Sequence, residues 1–200
     1  MEFLDKIAAL EALYGPASVG SQRKVAPHLT PSYRRWIEAS RFCILSTVGD
    51  GGTDGSPRGD DGPVVRVLDP MTLAMPDWRG NNRLDTLRNI VSDGRLSVIF
   101  LVPGSQTVVR VNGTAKLTAD DALRASFARK EVLPATVIVI RVEEVYAQCS
   151  RAVMRSGIWV RDDSEGLPTL GEILADVTAG ELGGGDFDAD WQKRSLAALW

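Results

Sequence analysis

Residues 95–117, Arg-Leu-Ser-Val-Ile-Phe-Leu-Val-Pro-Gly-Ser-Gln-Thr-Val-Val-Arg-Val-Asn-Gly-Thr-Ala-Lys-Leu, decide how this chain is read. Two long β-favouring runs, 95–102 and 107–117, flank Pro103-Gly104-Ser105, a turn signal, and so predict antiparallel neighbours. Working outward, 136–145 reads as a further strand, and 64–68 with 72–75 as a pair joined by Asp69-Pro70-Met71. The apolar run 42–48 reads as another, stopped by the Gly/Asp-rich stretch 49–55, a turn or hairpin loop that does not fit a dinucleotide fingerprint. About six strands in hairpin order with two inserted helices predict a mainly β fold with flanking helices. The pattern is that of a small antiparallel barrel rather than a parallel βαβ sheet.

Helical spacing marks the rest. Phe3, Leu4, Ile7, Leu10 and Leu13 predict a docking helix over 2–13, ended by Gly15-Pro16. Thr30-Pro31 reads as an N-cap followed by proline at the first helical position, with Tyr33, Trp36 and Ile37 on the packed side. A helix is expected after Thr118, with Asp120 and Asp121 at its positive end, and a short helix and loop over 151–159. Beyond a Gly-rich stretch at 183–186, a tail helix over 190–200 has Trp191, Leu196, Leu199 and Trp200 to bury, on the body or on a second subunit. The expected organisation is an N-terminal helix and linker (1–29), a barrel domain (30–160) and a C-terminal extension (161–200).

Two arginine-bearing segments carry the functional signal: Ser56-Pro57-Arg58-Gly59-Asp60 and Asp77-Trp78-Arg79-Gly80-Asn81-Asn82-Arg83. The second runs into an amphipathic segment whose Leu84, Leu87, Ile90 and Val91 recur at helical spacing. Asn82 suits the N-cap, with Asp85 as a weak capping-box partner. The amides of Arg83, Leu84 and Asp85 would then lack intrahelical acceptors, at the end of the helix that favours negative charge. Arg79 and Arg83 bracket that terminus, and a guanidinium fork fits phosphate oxygens bidentately. Ser56 and Arg58 add a hydroxyl and a third guanidinium. The competing reading is a solvated helix start with arginines nearby.

Composition narrows the classes. The chain has 200 residues, 44% apolar, with a formal net charge of -3, and no basic tract supports nucleic-acid binding. No apolar run is long enough to span a bilayer, and the N-terminus lacks the pattern of a secretory signal, so a cytoplasmic location is expected. Cys43 and Cys149 sit in or beside strand-like segments and are expected to be small buried hydrophobes. A single histidine, His28, lies in a loop, which rules out a histidine-rich metal site within one subunit; no metal site is expected. No serine has a nucleophile-elbow context.

Taken jointly, residues 56–60, Gly-Asn-Asn-Arg-Leu-Asp-Thr-Leu-Arg-Asn-Ile at 80–90, Phe-Leu-Val-Pro-Gly at 100–104, Arg-Val-Asn-Gly at 110–113 and Cys-Ser-Arg-Ala at 149–152 with Arg155-Ser156 make a pattern. It resembles the FMN-binding split-barrel proteins related to pyridoxamine 5'-phosphate oxidase, over roughly 30–176. The resemblance implies a six-stranded antiparallel split β-barrel of Greek-key type, a homodimer with FMN in clefts between subunits. It implies cofactor contacts from Ser56, Arg58, Asn82, Arg83 and the Leu84 backbone, with Arg79 as an addition. Arg155, Ser156 and Trp159 would reach the flavin from the partner subunit, and Thr107 with Arg110 would lie where the barrel edge approaches the ring. A true pyridoxamine-phosphate oxidase carries an arginine-to-lysine phosphate strand and a C-terminal arginine-histidine motif; here Arg58 is followed by Gly-Asp-Asp-Gly, and no histidine follows His28. The implied function is an FMN-dependent oxidoreductase acting between a donor such as reduced nicotinamide and a small molecule. The alternative is a non-catalytic FMN-binding carrier or sensor. The sequence singles out no catalytic residue.

Overall fold

The computed structural model describes residues 1–197 and 199. Two short helices, α1 (Ile7–Glu11) and α2 (Val19–Arg23), precede α3 (Pro31–Glu38), and then β1 (Phe42–Gly49), β2 (Gly52–Gly59), β3 (Arg66–Asp69) and β4 (Thr72–Asp77) follow. After α4 (Asp85–Ser92) come β5 (Arg95–Leu101), β6 (Val108–Thr118), α5 (Asp121–Ser126) and β7 (Thr136–Gln148). The chain continues through α6 (Arg151–Ser156), α7 (Leu170–Val177) and α8 (Gly185–Ala197).

The strands form one antiparallel sheet of seven, in the order β2-β1-β5-β6-β7-β4-β3. The sequence pattern predicts about six, because β2 reads as loop. β2 lacks the apolar alternation of a half-buried strand: its half-buried positions are Asp54, Ser56 and Arg58, and its exposed ones are mostly glycine and proline. It pairs with β1 all the same, Ser56 opposite Leu45 and Arg58 opposite Cys43. Directly opposed residues of an antiparallel pair share a face. The polar side chains of β2 therefore continue the face on which Cys43 and Leu45 are buried. The sheet curls so that its far strands meet, because Arg58 of β2 makes an ion pair with Asp77 of β4 across the seam.

Phe100, Ile37, Leu45, Leu73, Met75, Ile138 and Ile140 are the largest fully buried side chains, and all belong to one core cluster. β6 kinks at Gly113, where a bulge interrupts its register with β7 and an added Cβ would stand 1.9 Å from the Arg141 carbonyl oxygen. Only glycine fits there. α3 begins as expected, with Thr30 accepting from the Tyr33 amide and Pro31 opening the helix, and Ile37 fully buried.

Three further expectations change. The N-terminal helix is confined to α1 and none of it is buried; Phe3 is 78% and Ile7 74% exposed. Cys149 is exposed, whereas Cys43 is buried as expected. The tail is helical from Gly185, but Leu196 is 66% exposed, and Trp200 lies outside the described residues. Among the described residues no helix is long and apolar enough to cross a membrane.

Candidate functional site

The start of α4 differs from the sequence reading in a way that matters. Asn82 is not the cap: the helix opens at Asp85, and Leu84 occupies the N-cap with φ 63° and no side-chain cap. Asn82 also has positive φ, 59°. Two left-handed non-glycine residues so close together, one of them leucine, mark a strained loop of the kind that persists when its surroundings over-determine it. The packed face turns accordingly. Leu84 is 45% and Val91 75% exposed, while Thr86 and Ile90 are buried and Leu87 packs on the core. Polar groups hold the helix to the sheet: the Thr86 hydroxyl donates to Asp54 of β2, and Asn89 Nδ2 donates to Thr47 Oγ1 of β1 at 3.2 Å.

This arrangement leaves a cavity of about 1210 Å³ between β2, the end of β4 and the start of α4. That exceeds the ~300–1,000 Å³ of typical small-molecule sites. Ser56, Arg58, Arg79, Asn82, Arg83 and Leu84 all line it. The helix start that faces it has no side-chain cap, and the first backbone amide to find an intrahelical partner is that of Arg88, on the Leu84 carbonyl. The free amides are thus those of Asp85, Thr86 and Leu87, a little further on than the sequence suggested.

The cations differ in commitment. Arg58 is held by Asp77, both side chains being largely buried. Arg83 is exposed and paired with Asp85, whose hydrogen bond and charge push the guanidinium pKa further up. Arg79 is exposed and has no polar partner among the described residues. Burial pushes the Cys43 thiol, opposite Arg58, up to about 12, the Arg58 charge opposing that rise.

Residues that the sequence did not single out complete the wall. Asp77 fixes Arg58. Asp60, buried, accepts from Trp78 Nε1 at 3.1 Å and from Arg129 Nη2 at 2.9 Å. Thr136 stands opposite Asp77 in register. Asp60, Asp77 and Trp78 lay inside the quoted segments, but their roles depend on which strands meet at the seam. Arg58 Nε and Thr136 Oγ1 are buried without a hydrogen-bond partner among the described residues, and both residues line the cavity. An unfilled donor, an unfilled hydroxyl, an uncapped helix start and an uncommitted guanidinium suit a ligand bearing several acceptor oxygens, and an organic phosphate fits this set.

The other sequence candidates do not line this cavity. Trp159 donates from Nε1 to the Ser105 carbonyl at 2.7 Å, in the β5–β6 turn, where the Thr107 amide donates to Ser105 Oγ at 3.2 Å. Arg110 reaches Tyr146 Oη at 3.2 Å, and its own Nε is buried without a partner among the described residues. Arg155 and Ser156, at the end of α6, are exposed.

Fold and site together define a class: an antiparallel, curled-sheet protein with an anion-ready cavity at its seam. Residues 29–149, more than half the chain, match the family model described as pyridoxamine 5'-phosphate oxidase, and the chain belongs to that family. No curated protein matches. Among solved structures the chain is similar to HupZ of Group A Streptococcus, at 20% identity, covering 60% of this chain and 93% of that one with a TM-score of 0.49. It is also similar to an FMN-binding protein from Syntrophomonas wolfei (15% identity, 58% and 83% covered, TM-score 0.45). A third is the FAD-binding protein from Mycobacterium smegmatis (14% identity, 62% and 97% covered, TM-score 0.43).

Proposed function

We propose that the protein is an FMN-binding flavoprotein of the pyridoxamine 5'-phosphate oxidase family, acting as a homodimeric oxidoreductase on a small molecule with a donor such as reduced nicotinamide. The observation that carries this reading is the convergence of Arg58, Arg79, Arg83 and the uncapped α4 start on one cavity. Ser56, Arg58, Arg79, Arg83 and the amides at the start of α4 would hold the phosphate, and the left-handed Asn82–Leu84 turn would present them. FMN, when bound, supplies the hydride and electron chemistry. The chain's own residues bind and orient: Asp77 keeps Arg58 aimed at the cavity, and Asp60 keeps Trp78 in its wall.

The homodimer is part of the proposal. Thr107, Arg110, Arg155, Ser156 and Trp159 lie away from their own chain's cavity, and a second copy would bring this group to the ring end of the ligand. The test is purification followed by an absorption spectrum and the mass of any released ligand. A flavin band with the mass of FMN, bleached by a reductant, is expected; colourless protein that no added FMN can load overturns the reading.

One observation favours a non-catalytic FMN carrier or sensor instead. Asp54, Asp60, Asp61, Asp77 and Asp85 line the cavity, and each is already engaged by Thr86, Arg129, Arg58 or Arg83, so these side chains are committed to holding the wall. Bound flavin that no nicotinamide reduces and no acceptor reoxidises supports that alternative.

A further inference from the structure

The family match stops at residue 149, yet the cavity wall does not: Trp191 of α8 and Leu199 beyond it line the same space as Arg58 and Arg79. The cavity wall therefore extends beyond the matched segment into the C-terminal helices. The segment that carries it is a helical hairpin with internal locks. Thr169 and Glu172 form a capping box at the start of α7. The Asp188 carboxylate of α8 accepts from Thr169 Oγ1 at 2.6 Å and from the Gly171 amide at 2.7 Å. Gly183 passes so close that an added Cβ would stand 2.2 Å from the Gly171 carbonyl oxygen. These contacts tie α7 and α8 to each other.

On α8, Phe187 and Trp191 are one turn apart and stack, with centroids 5.9 Å apart and planes 10° apart. Phe187 thereby limits how the indole can turn. Trp191 is nevertheless 45% exposed, as is natural for a side chain bordering an open cavity. Trp78, oriented by Asp60, supplies a second indole to the same wall. The cavity thus has an anion-binding end at β2 and α4 and two aromatic side chains on its perimeter. Large π-faces of this kind take planar rings.

We infer that the α7–α8 hairpin is a cover for this cavity within its own chain, that Trp191 is the aromatic group it presents to the ring of the bound ligand, and that it thereby governs ligand escape. That the ring is a flavin rests on the function proposed above; that the hairpin covers the cavity does not. Ligand leaves when the hairpin lifts as a unit, so contacts inside the hairpin and contacts to the ring both act on the release rate.

The experiment uses the full chain in two arms. In the first, without ligand, hydrogen–deuterium exchange of residues 79–87 is compared between the unaltered protein and Asp188→Ala. Faster exchange there in the variant is expected; unchanged exchange overturns the cover. In the second, FMN release is followed by the rise in flavin fluorescence after dilution. Trp191→Ala is expected to release FMN about tenfold faster, the size of one lost aromatic stack, and Trp191→Phe to stay near the unaltered rate. Release from Trp191→Ala at the unaltered rate overturns the role of Trp191 while leaving the FMN reading intact. Protein that takes up no FMN overturns the FMN reading, and the exchange arm then decides the cover alone.

Discussion

The cavity group and the α6 group come from the same set of sequence candidates, and the fold treats them in opposite ways. Ser56, Arg58, Arg79, Asn82, Arg83 and Leu84 are drawn into one cavity by a strand, a seam and a helix start. Thr107 and Trp159 gather around the β5–β6 turn, Arg110 pairs with Tyr146 on β7, and Arg155 with Ser156 stays exposed. The first group lines a cavity within one chain. The second lines no part of that cavity, and the functional proposal therefore assigns it to a second copy of the chain.

The largest effect is expected at Arg58. Replacing it by alanine strands the largely buried Asp77 and should cost about 3 kcal/mol of stability, with FMN affinity falling by about two orders of magnitude. Thermal melts and an FMN titration read both, and the Arg58→Ala/Asp77→Ala double variant should recover part of the stability but none of the affinity. An unchanged affinity in Arg58→Ala removes that residue from the site.

Next comes Arg155→Ala, expected to leave the melt within about 0.5 kcal/mol, as for exposed residues generally, while weakening FMN binding about tenfold. Mixing Arg58→Ala with Arg155→Ala chains sharpens the contrast: if each site draws on both chains, mixed dimers regain one intact site out of two. No recovery in dimers shown to have exchanged subunits breaks the division of labour between the groups.

Leu84→Gly should act in the other direction. It relieves a left-handed leucine and is expected to stabilise the chain by about 1 kcal/mol, offset by the freer unfolded state of glycine. A lower melting temperature would show that the Leu84 side chain contributes more than its strained backbone costs.

The smallest effect separates the two cysteines. Cys149 should alkylate in the native protein and Cys43 should not, giving one modified thiol per chain by mass. Burial raises the Cys43 pKa from 9.0 to about 12, so the folded state holds a proton that the unfolded state releases first. The stability tied to that thiol is fully present below about pH 9 and is lost as pH rises from 9 towards 12. Cys43→Ser, with a hydroxyl that stays neutral over that range, should flatten that decline.

Much of the sheet was legible because its strands obey local rules. The apolar runs around Phe100, Val109 and Ile140 announce burial, and Pro103-Gly104 announces the turn between β5 and β6. Strand β2 was not legible, since its half-buried residues are Asp54, Ser56 and Arg58, polar side chains that line the cavity. Its polarity hid it as a strand, and the functional proposal draws on the same polar side chains. The cap of α4 was misplaced for a related reason: Asn82 has the right side chain for a cap, but the tertiary loop holds both Asn82 and Leu84 at positive φ, and the helix begins after them.

The sequence by itself determined the class of fold, the family and the residue types suited to hold a phosphate, because periodicity, turn residues and guanidinium chemistry are local properties. Only the tertiary structure decided that Arg58 meets Asp77 across the seam, that the α6 residues lie away from the cavity, and that Trp191 lies at its edge. Those are contacts between residues far apart in the chain, and they depend on how the sheet curls and where the last hairpin comes to rest.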